Sequence, residues 1–392
     1  MSPITPNNEI DRYAALLDEA RRIKGVSLAK DAWRRLQRNY VAMGALVYLI
    51  LLILAAIFTP LLPLQSPIEQ HLQPAETDKK GNPALHGQFL PPRAVAVELG
   101  LDDADRTRPV YDDGQEGDSP FEIRLQKLFA GLGWFDRMLV ETRLAVFGDW
   151  CIPSICGTDN LGRDVLARLF WGARISLMVG FVATLVSLVI GVSYGATAGY
   201  LGGHIDNIMM RIVDILYSIP FIFVVIFIIT ILDEESIRGW LDARGIDRIV
   251  VFYLVIGAIY WLTMARVVRG QVISLKNEQF IEAARTVGAS SRRIIFRHLV
   301  PNVLSVVIVY LTLTIPSVML FEAFLSFLGL GVTPPDISWG ALAQEGIRVI
   351  SPVKIYWWLI VFPGLALALT LFALNFLGDG LRDALDPRMK NR

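Results

Sequence analysis

The chain is poor in the residues that do chemistry. Its 392 residues include two cysteines, Cys151 and Cys156, and four histidines, His71, His86, His204 and His298. The histidines are scattered, with no metal-ligand spacing and no nucleophile arrangement nearby. No metal site is expected and no catalytic residue is assigned. A membrane-bound enzyme would need a nucleophile, a metal cluster or paired acids, and none assembles. No GxxxxGK[ST] sequence occurs, so the chain has no P-loop of its own to cradle a nucleotide phosphate. The formal net charge is zero, which gives no reason to expect a nucleic-acid partner. Only 19% of residues are charged.

Apolar residues are plentiful instead, at 54%, and they gather into blocks too long for ordinary buried helices. The expected fold class is an all-α polytopic membrane protein. Six transmembrane helices are expected near Val41–Leu62, Arg174–Ala198, Ile212–Leu232, Ile249–Val267, Val303–Phe324 and Tyr356–Leu377, each about the ~20 residues needed to cross hydrocarbon. The organisation read from this pattern is an N-terminal segment 1–40, a first span 41–62 and a large loop 63–170. A core of five spans, 171–380, follows with a charged loop at 270–301, and then a tail, 381–392. The first apolar run follows about forty polar residues and is too long for a signal-peptide core, so it is expected to be a retained anchor.

Lysine and arginine set the orientation. They cluster in the N-terminal segment (Arg12, Arg21, Arg22, Lys24, Lys30, Arg34, Arg35, Arg38), after the fourth span (Arg269, Lys276, Arg285, Arg292, Arg293, Arg297) and in the tail (Arg382, Arg388, Lys390, Arg392). Six spans put all three segments on one face, which the positive-inside rule makes cytoplasmic, so both termini are expected there. The short opposite loop, Asp233 to Asp247, is acidic on balance.

Two segments outside the spans admit two readings each. Tyr13, Leu16, Leu17, Ala20 and Ile23 fit an amphipathic helix on the membrane surface or a solvated extension. In the large extracytoplasmic loop, Pro91-Pro92, Asp102-Asp103 and Asp112-Asp113-Gly114 favour irregular chain. Phe121, Leu125, Leu128, Phe129 and Leu132, and less cleanly Met138, Leu139 and Val146, repeat at helical spacing. That loop is a landing pad for a delivery protein or an insertion capping the spans. Cys151 and Cys156 within it could close a disulfide or stand as two thiols.

At the second span, Gly157, Asp159, Gly162, Arg163 and Asp164 in GTDNLGRD suit a turn and a helix cap. After it, Gly199, Gly202 and Gly203 allow a reversal, followed by Asp206 and an Arg211–Asp214 pair at helical spacing. Pro220 interrupts the third span and bends it. Glu322 is read as facing a wet path or pairing with a neighbouring helix. Asn375 and Asp379 fall at the inner end of the last span, and Tyr356, Trp357 and Trp358 are read as an interfacial belt.

The segment EAARTVGASSRRIIFRHLVP, Glu282 to Pro301, has its own logic. Phe280, Ala284 and Val287 fall on one helical face and Glu278, Glu282 and Arg285 on another, with a possible Glu282–Arg285 pair. Gly288 stops the helix, Ser290 or Ser291 caps the next, and Pro301 opens the fifth span. Small Ala283 and Ala284 let a partner approach. A charged helix-turn-helix between spans is a docking surface for a soluble partner.

This segment resembles the EAA loop, E-A-A-x3-G followed at a fixed distance by proline, of permease subunits in bacterial ABC importers. The chain supplies Glu282, Ala283, Ala284, Gly288 and Pro301. GTDNLGRDVL, GYLGGHIDNIMMRIVDILYSIP, FLSFLGLG, SWG and GDGLRDALDPR look like the dipeptide and oligopeptide permease branch, nearest its C-type subunit, a branch that also holds nickel and other small-solute permeases. The resemblance implies the type I importer permease fold in a bacterial inner membrane. It implies Phe280, Glu282, Ala283, Ala284, Arg285, Gly288 and Pro301 as the ATPase-coupling residues, and Glu322 and Asn375 as candidates for the translocation path. Gly157, Asp159, Gly162, Arg163, Asp164, Gly202, Gly203 and Asp206 fall to family-motif structural roles. The implied partners are a second permease, two ATPases carrying ATP and Mg2+, an extracytoplasmic peptide-binding protein, peptide substrate and membrane lipid. A secondary transporter would instead concentrate charge at mid-membrane, and here charge concentrates in the cytoplasmic loop.

Overall fold

The computed structural model describes residues 28–68, 70, 133–148, 150–152, 154–232, 234–246, 248–332, 334, 336–352 and 355–385. The segments 13–23 and 121–132, whose helical patterns are noted above, lie outside them. Among the described residues there is no strand, only an isolated bridge between Thr158 and Asp164.

Helix α1 (Leu28–Arg38) is amphipathic and turns Leu36 inward. Asn39 then starts α2 (Tyr40–Ile57), accepting the Ala42 N–H at 3.1 Å. Helix α3 (Trp134–Phe147) lies outside the spans and carries the Met138–Val146 pattern. Asp136 takes Arg174 through both oxygens, at 2.7 and 2.9 Å, and the buried Arg143 donates to the Leu64 carbonyl at 2.7 Å.

Among the described residues, five helices are long and apolar enough to cross a membrane: α2, α4 (Val165–Leu201), α8 (Ile249–Leu275), α10 (Ser291–Phe327) and α12 (Trp358–Leu385). Helices α5 (Gly203–Ser218) and α6 (Phe221–Leu232) meet at Pro220 with a bend of 80° and together form a broken span or a re-entrant loop. The bend follows from proline, which lacks the N–H that would continue the ladder. Short helices α7 (Glu235–Asp242), α9 (Gln279–Thr286) and α11 (Trp339–Arg348) join them.

Helix α4 corrects the expected boundaries most. It begins nine residues earlier than Arg174, inside the segment assigned to the loop 63–170, and runs 37 residues, roughly 56 Å at ~1.5 Å per residue. The Asp164 cap read from the sequence marks this start; the span was placed later because a charge such as Arg168 ordinarily lies at the end of a span, whereas here it is neutralised inside the protein. Pro301 stands in the first turn of the α-helical part of the fifth span, Val300–Phe327, as expected. Helix α10 already runs from Ser291, and residues Ile294–Leu299 widen into a π turn just before the proline. A wider turn relieves the clash between the proline ring and the preceding carbonyl.

The tightest packing joins α4 to α8. Apolar side chains gain little by leaving lipid for one another, so close backbone approach has to hold membrane helices together. Gly191, Gly195 and Gly199 repeat every four residues along α4 and provide it. A Cβ added at Gly191 would lie 2.6 Å from the Met264 Cβ; at Gly199 it would lie 2.9 Å from the Arg269 carbonyl; at Gly195 it would overlap the Ala265 carbonyl outright. From the other side, Gly257 of α8 meets the Ala183 carbonyl in the same way. Helices α2 and α12 form a second contact, with α1 folded against them through Leu36, Ala42 and Ala384.

Candidate functional site

The loop between the fourth and fifth spans is built as a rigid projection. Helix α9 is closed by two bonds, Gly288 N–H to the Arg285 carbonyl at 2.9 Å and Ala289 N–H to the Ala284 carbonyl at 3.0 Å. This pair of bonds defines the Schellman termination, which requires a left-handed residue, and Gly288 supplies it at φ 83°. A side chain at Gly288 would meet nothing within 4 Å, so the constraint is backbone conformation rather than space.

One side of α9 anchors it. Ile281 is completely buried in the cluster of Val268, Val272, Ile294, Ile295 and Leu299, and Ala284 and Ala289 pack against the same cluster. The expected apolar face therefore splits. Ala284 turns inward, while Phe280 at 40% exposure and Val287 at 88% point outward with Phe296 and the exposed Glu282 and Ala283. The helix is thus braced on one side and leaves Phe280 and Val287 exposed beside Glu282 on the other.

Arg285 does not pair with Glu282 as expected. Its guanidinium lies 5.3 Å from the ring centroid of Tyr200, at the end of α4. Lys276 donates to the Gly199 carbonyl at 3.2 Å, and Arg269 grips Asp206 through two bonds of 2.6 and 2.7 Å. Gly202 and Gly203, with φ 66° and 55°, make the reversal between α4 and α5. The projection thus touches the end of the second span and the start of the third. Tyr200 and Ile281 were not singled out from sequence, although Ile281 lies three residues before Ala284 in the apolar pattern. The expected Arg211–Asp214 pair is likewise replaced: Asp214 accepts from Arg266 of α8 at 2.9 Å.

At the opposite end, GTDNLGRD folds as the sequence suggests. Gly157 and Gly162 have φ of 81° and 75°. Asp159 accepts the N–H groups of Leu161 and Arg163 at 2.8 and 3.0 Å, and Asp164 caps α4 through Leu166 and Ala167. The turn also carries a buried charge cluster. Asp159 binds Arg163 at 2.7 Å and Arg168 at 2.5 Å, and Glu345 of α11 binds both arginines, at 2.9 and 2.5 Å. Glu345 was missed because its partners lie far away in sequence. Replacing Asp159 with alanine leaves buried cations short of an anion and is expected to cost about 3–5 kcal/mol. A lowered unfolding midpoint in detergent would show it, and an unchanged one would contradict it.

Cys151 and Cys156 are buried thiols rather than the disulfide that was one of the two expectations. Burial pushes the Cys156 thiol up to about 11, and the charge of Asp164 adds to the rise. Its alkylation at neutral pH is therefore expected only after denaturation. Labelling of the native protein at the denatured rate would contradict this.

Glu322 is fully buried in α10, with no exposed surface, and accepts from Ser326 at 2.6 Å. Ser326 contacts Ser338, the cap of α11, and Ser176 of α4 accepts the Trp339 N–H at 3.1 Å. The bond to Ser326 stays within α10, and the second carboxyl oxygen of Glu322 is buried with no hydrogen-bond partner among the described residues. Asn375 is exposed on α12 and donates to the Leu371 carbonyl of its own helix. Trp358 is not part of an interfacial belt: it is buried and donates to the Thr158 carbonyl at 3.1 Å, while Trp357 is 42% exposed. Among the described residues, no group of three metal-ligating side chains gathers.

The architecture of the described residues is that of a multi-pass membrane protein with a projection between its fourth and fifth spans. The chain belongs to the family described as binding-protein-dependent transport system inner membrane component, whose model matches residues 187–391. The N-terminal TM domain of oligopeptide transport permease C matches residues 27–92. The dipeptide transport system permease protein DppC of Bacillus subtilis is 37% identical over 98% of this chain and 92% of its own length. The oligopeptide transport system permease protein OppC of the same organism is 34% identical over 98% of each. OppC of Escherichia coli is 50% identical over 59% of this chain and 72% of its own length. A solved inward-facing form of the MetNI methionine ABC transporter aligns over 56% of this chain and 96% of that one, at 19% identity and a TM-score of 0.43.

Proposed function

We propose that this chain is the C-type permease subunit of a bacterial ABC importer for oligopeptides, of the type I permease fold. It forms half of a pore completed by a second, related permease. Two ATPases carrying ATP and Mg2+ dock on α9, and an extracytoplasmic binding protein delivers peptide to the other face. The observation that carries this reading is the braced projection: Ile281 holds α9 against the spans while Phe280, Glu282, Ala283 and Val287 remain free for a partner. The basic segments on the α9 side support cytoplasmic placement of both termini. ATP-driven closure would push α9 and, through Arg285 and Tyr200, the end of α4. Nucleotide and peptide would then bias one two-state equilibrium.

A dipeptide importer is the second reading, favoured by the 37% identity to a dipeptide permease over nearly the whole chain. Uptake of labelled tri-alanine and di-alanine in a host lacking this chain separates the two. Loss of tri-alanine uptake, restored by the intact gene, supports the oligopeptide reading. Loss of di-alanine uptake alone supports the second, and loss of neither contradicts both.

A further inference from the structure

We infer that helix α3 lies in the membrane–water boundary at the end of α4 away from α9, with Trp134, Met138 and Val146 seated among phospholipid acyl chains. The inference stands on the spans alone. It goes beyond the importer reading by giving residues 134–147 of the large loop a partner, the lipid surface.

Helix α2 fixes the level of that boundary. Its 18 residues carry no charge and run roughly 27 Å at ~1.5 Å per residue, slightly short of a ~30 Å hydrocarbon core. Sliding such a span one way would draw Arg38 into hydrocarbon, and sliding it the other way would draw in the irregular backbone after Ile57. The turn Thr59–Leu61 therefore marks one face of the core. Thr59 Oγ1 lies 3.4 Å from the Phe170 carbonyl, which sets that part of α4 at the same level. Helix α3 packs on this turn. Two ties hold it there: Asp136 takes Arg174, one turn beyond Phe170, and Arg143 reaches the Leu64 carbonyl just past the turn. The ties are seven residues apart on α3, so the helix runs along the boundary rather than away from it.

Around its axis α3 has three flanks. Leu139, Val140 and Arg143 are buried against the protein. Arg137 and Glu141, paired at 3.2 Å, make a charged flank. Trp134, Met138 and Val146, 81%, 46% and 66% exposed, make an apolar flank centred about a quarter turn further round at ~100° per residue. A helix resting on protein at a hydrocarbon boundary needs one flank for lipid and one for water, and tryptophan favours this level. The exposed apolar surface of α2 continues up to Ile57 and Phe58, immediately before the turn on which α3 packs. A soluble delivery protein would leave the apolar flank in water whenever it departed, whereas lipid covers it throughout.

The test uses the full chain, with the partners that co-purify with it, reconstituted in phospholipid vesicles. A nitroxide is attached to Met138→Cys or to Glu141→Cys. Electron paramagnetic resonance then measures its collisions with oxygen, which concentrates in lipid, and with a water-soluble nickel chelate. The unsubstituted chain, whose Cys151 and Cys156 are buried, gives the background, and a phospholipid labelled on its acyl chain gives the lipid value. The label at 138 is expected to match the lipid value, and the label at 141 to favour nickel. Nickel access at 138 equal to that at 141 would place the flank in water. Shielding from both reagents would place it under protein, either the segment 121–132 or a second subunit, and each of these results overturns the inference. Trp134→Phe supplies a check that needs no label: the share of tryptophan emission quenched by phospholipid brominated on its chains is expected to fall relative to the intact chain. An unchanged quenched share would overturn the inference. Neither measurement uses peptide or nucleotide, so a failure here leaves the importer reading standing.

Discussion

Replacing Gly195 with leucine is expected to remove the folded protein from the membrane. A Cβ there would overlap the Ala265 carbonyl, and the obstacle is backbone, which cannot rotate away as a side chain can. The helices would have to separate, and the approaches at Gly191 and Gly199 would be lost with it. Overpacking of one site costs about 1–3 kcal/mol and more where backbone must move, which is a large share of a typical stability of ~5–15 kcal/mol. Gly44→Leu is the control, because nothing lies within 4 Å of that position and the exchange removes glycine's helix penalty of about 1 kcal/mol. Membrane-fraction yield and a monodisperse peak in mild detergent report the outcome. A Gly195→Leu protein with the yield of the Gly44→Leu control would contradict the packing account.

The second large effect is expected at Gly288. Valine at φ 83° is strained by roughly 1–2 kcal/mol, so the Schellman closure opens and α9 loses its defined end. The spans do not depend on this residue, since its side is open. Insertion should therefore be normal while peptide uptake falls by at least about tenfold, the equivalent of ~1.4 kcal/mol. Normal uptake in a correctly inserted Gly288→Val protein would show that the shape of the loop is irrelevant to transport.

The spans were legible because length and apolar blocks are strong signals, and Pro220 marked the 80° bend directly. The Gly288 stop and the Asp159 and Asp164 turn were legible because local backbone chemistry dictates them. What failed were pairings. Local spacing suggested Arg211 for Asp214 and Glu282 for Arg285, whereas the partners are Arg266, 52 residues away, and Tyr200. The buried charge cluster hid in the same way, since Glu345 lies 177 residues from Arg168. The four-residue glycine repeat on α4 was not singled out from the sequence, because its consequence depends on which helix lies opposite.

The most direct test of the central claim compares what co-purifies in mild detergent with the intact chain and with Glu282→Lys, identified by mass spectrometry. Glu282 is exposed on α9, so reversing its charge alters the docking face and leaves the buried Ile281 anchor in place. A second permease and two ATPases should accompany the intact chain, and the ATPases alone should be lost from the variant. A chain that purifies without ATPases and still transports peptide would contradict the account.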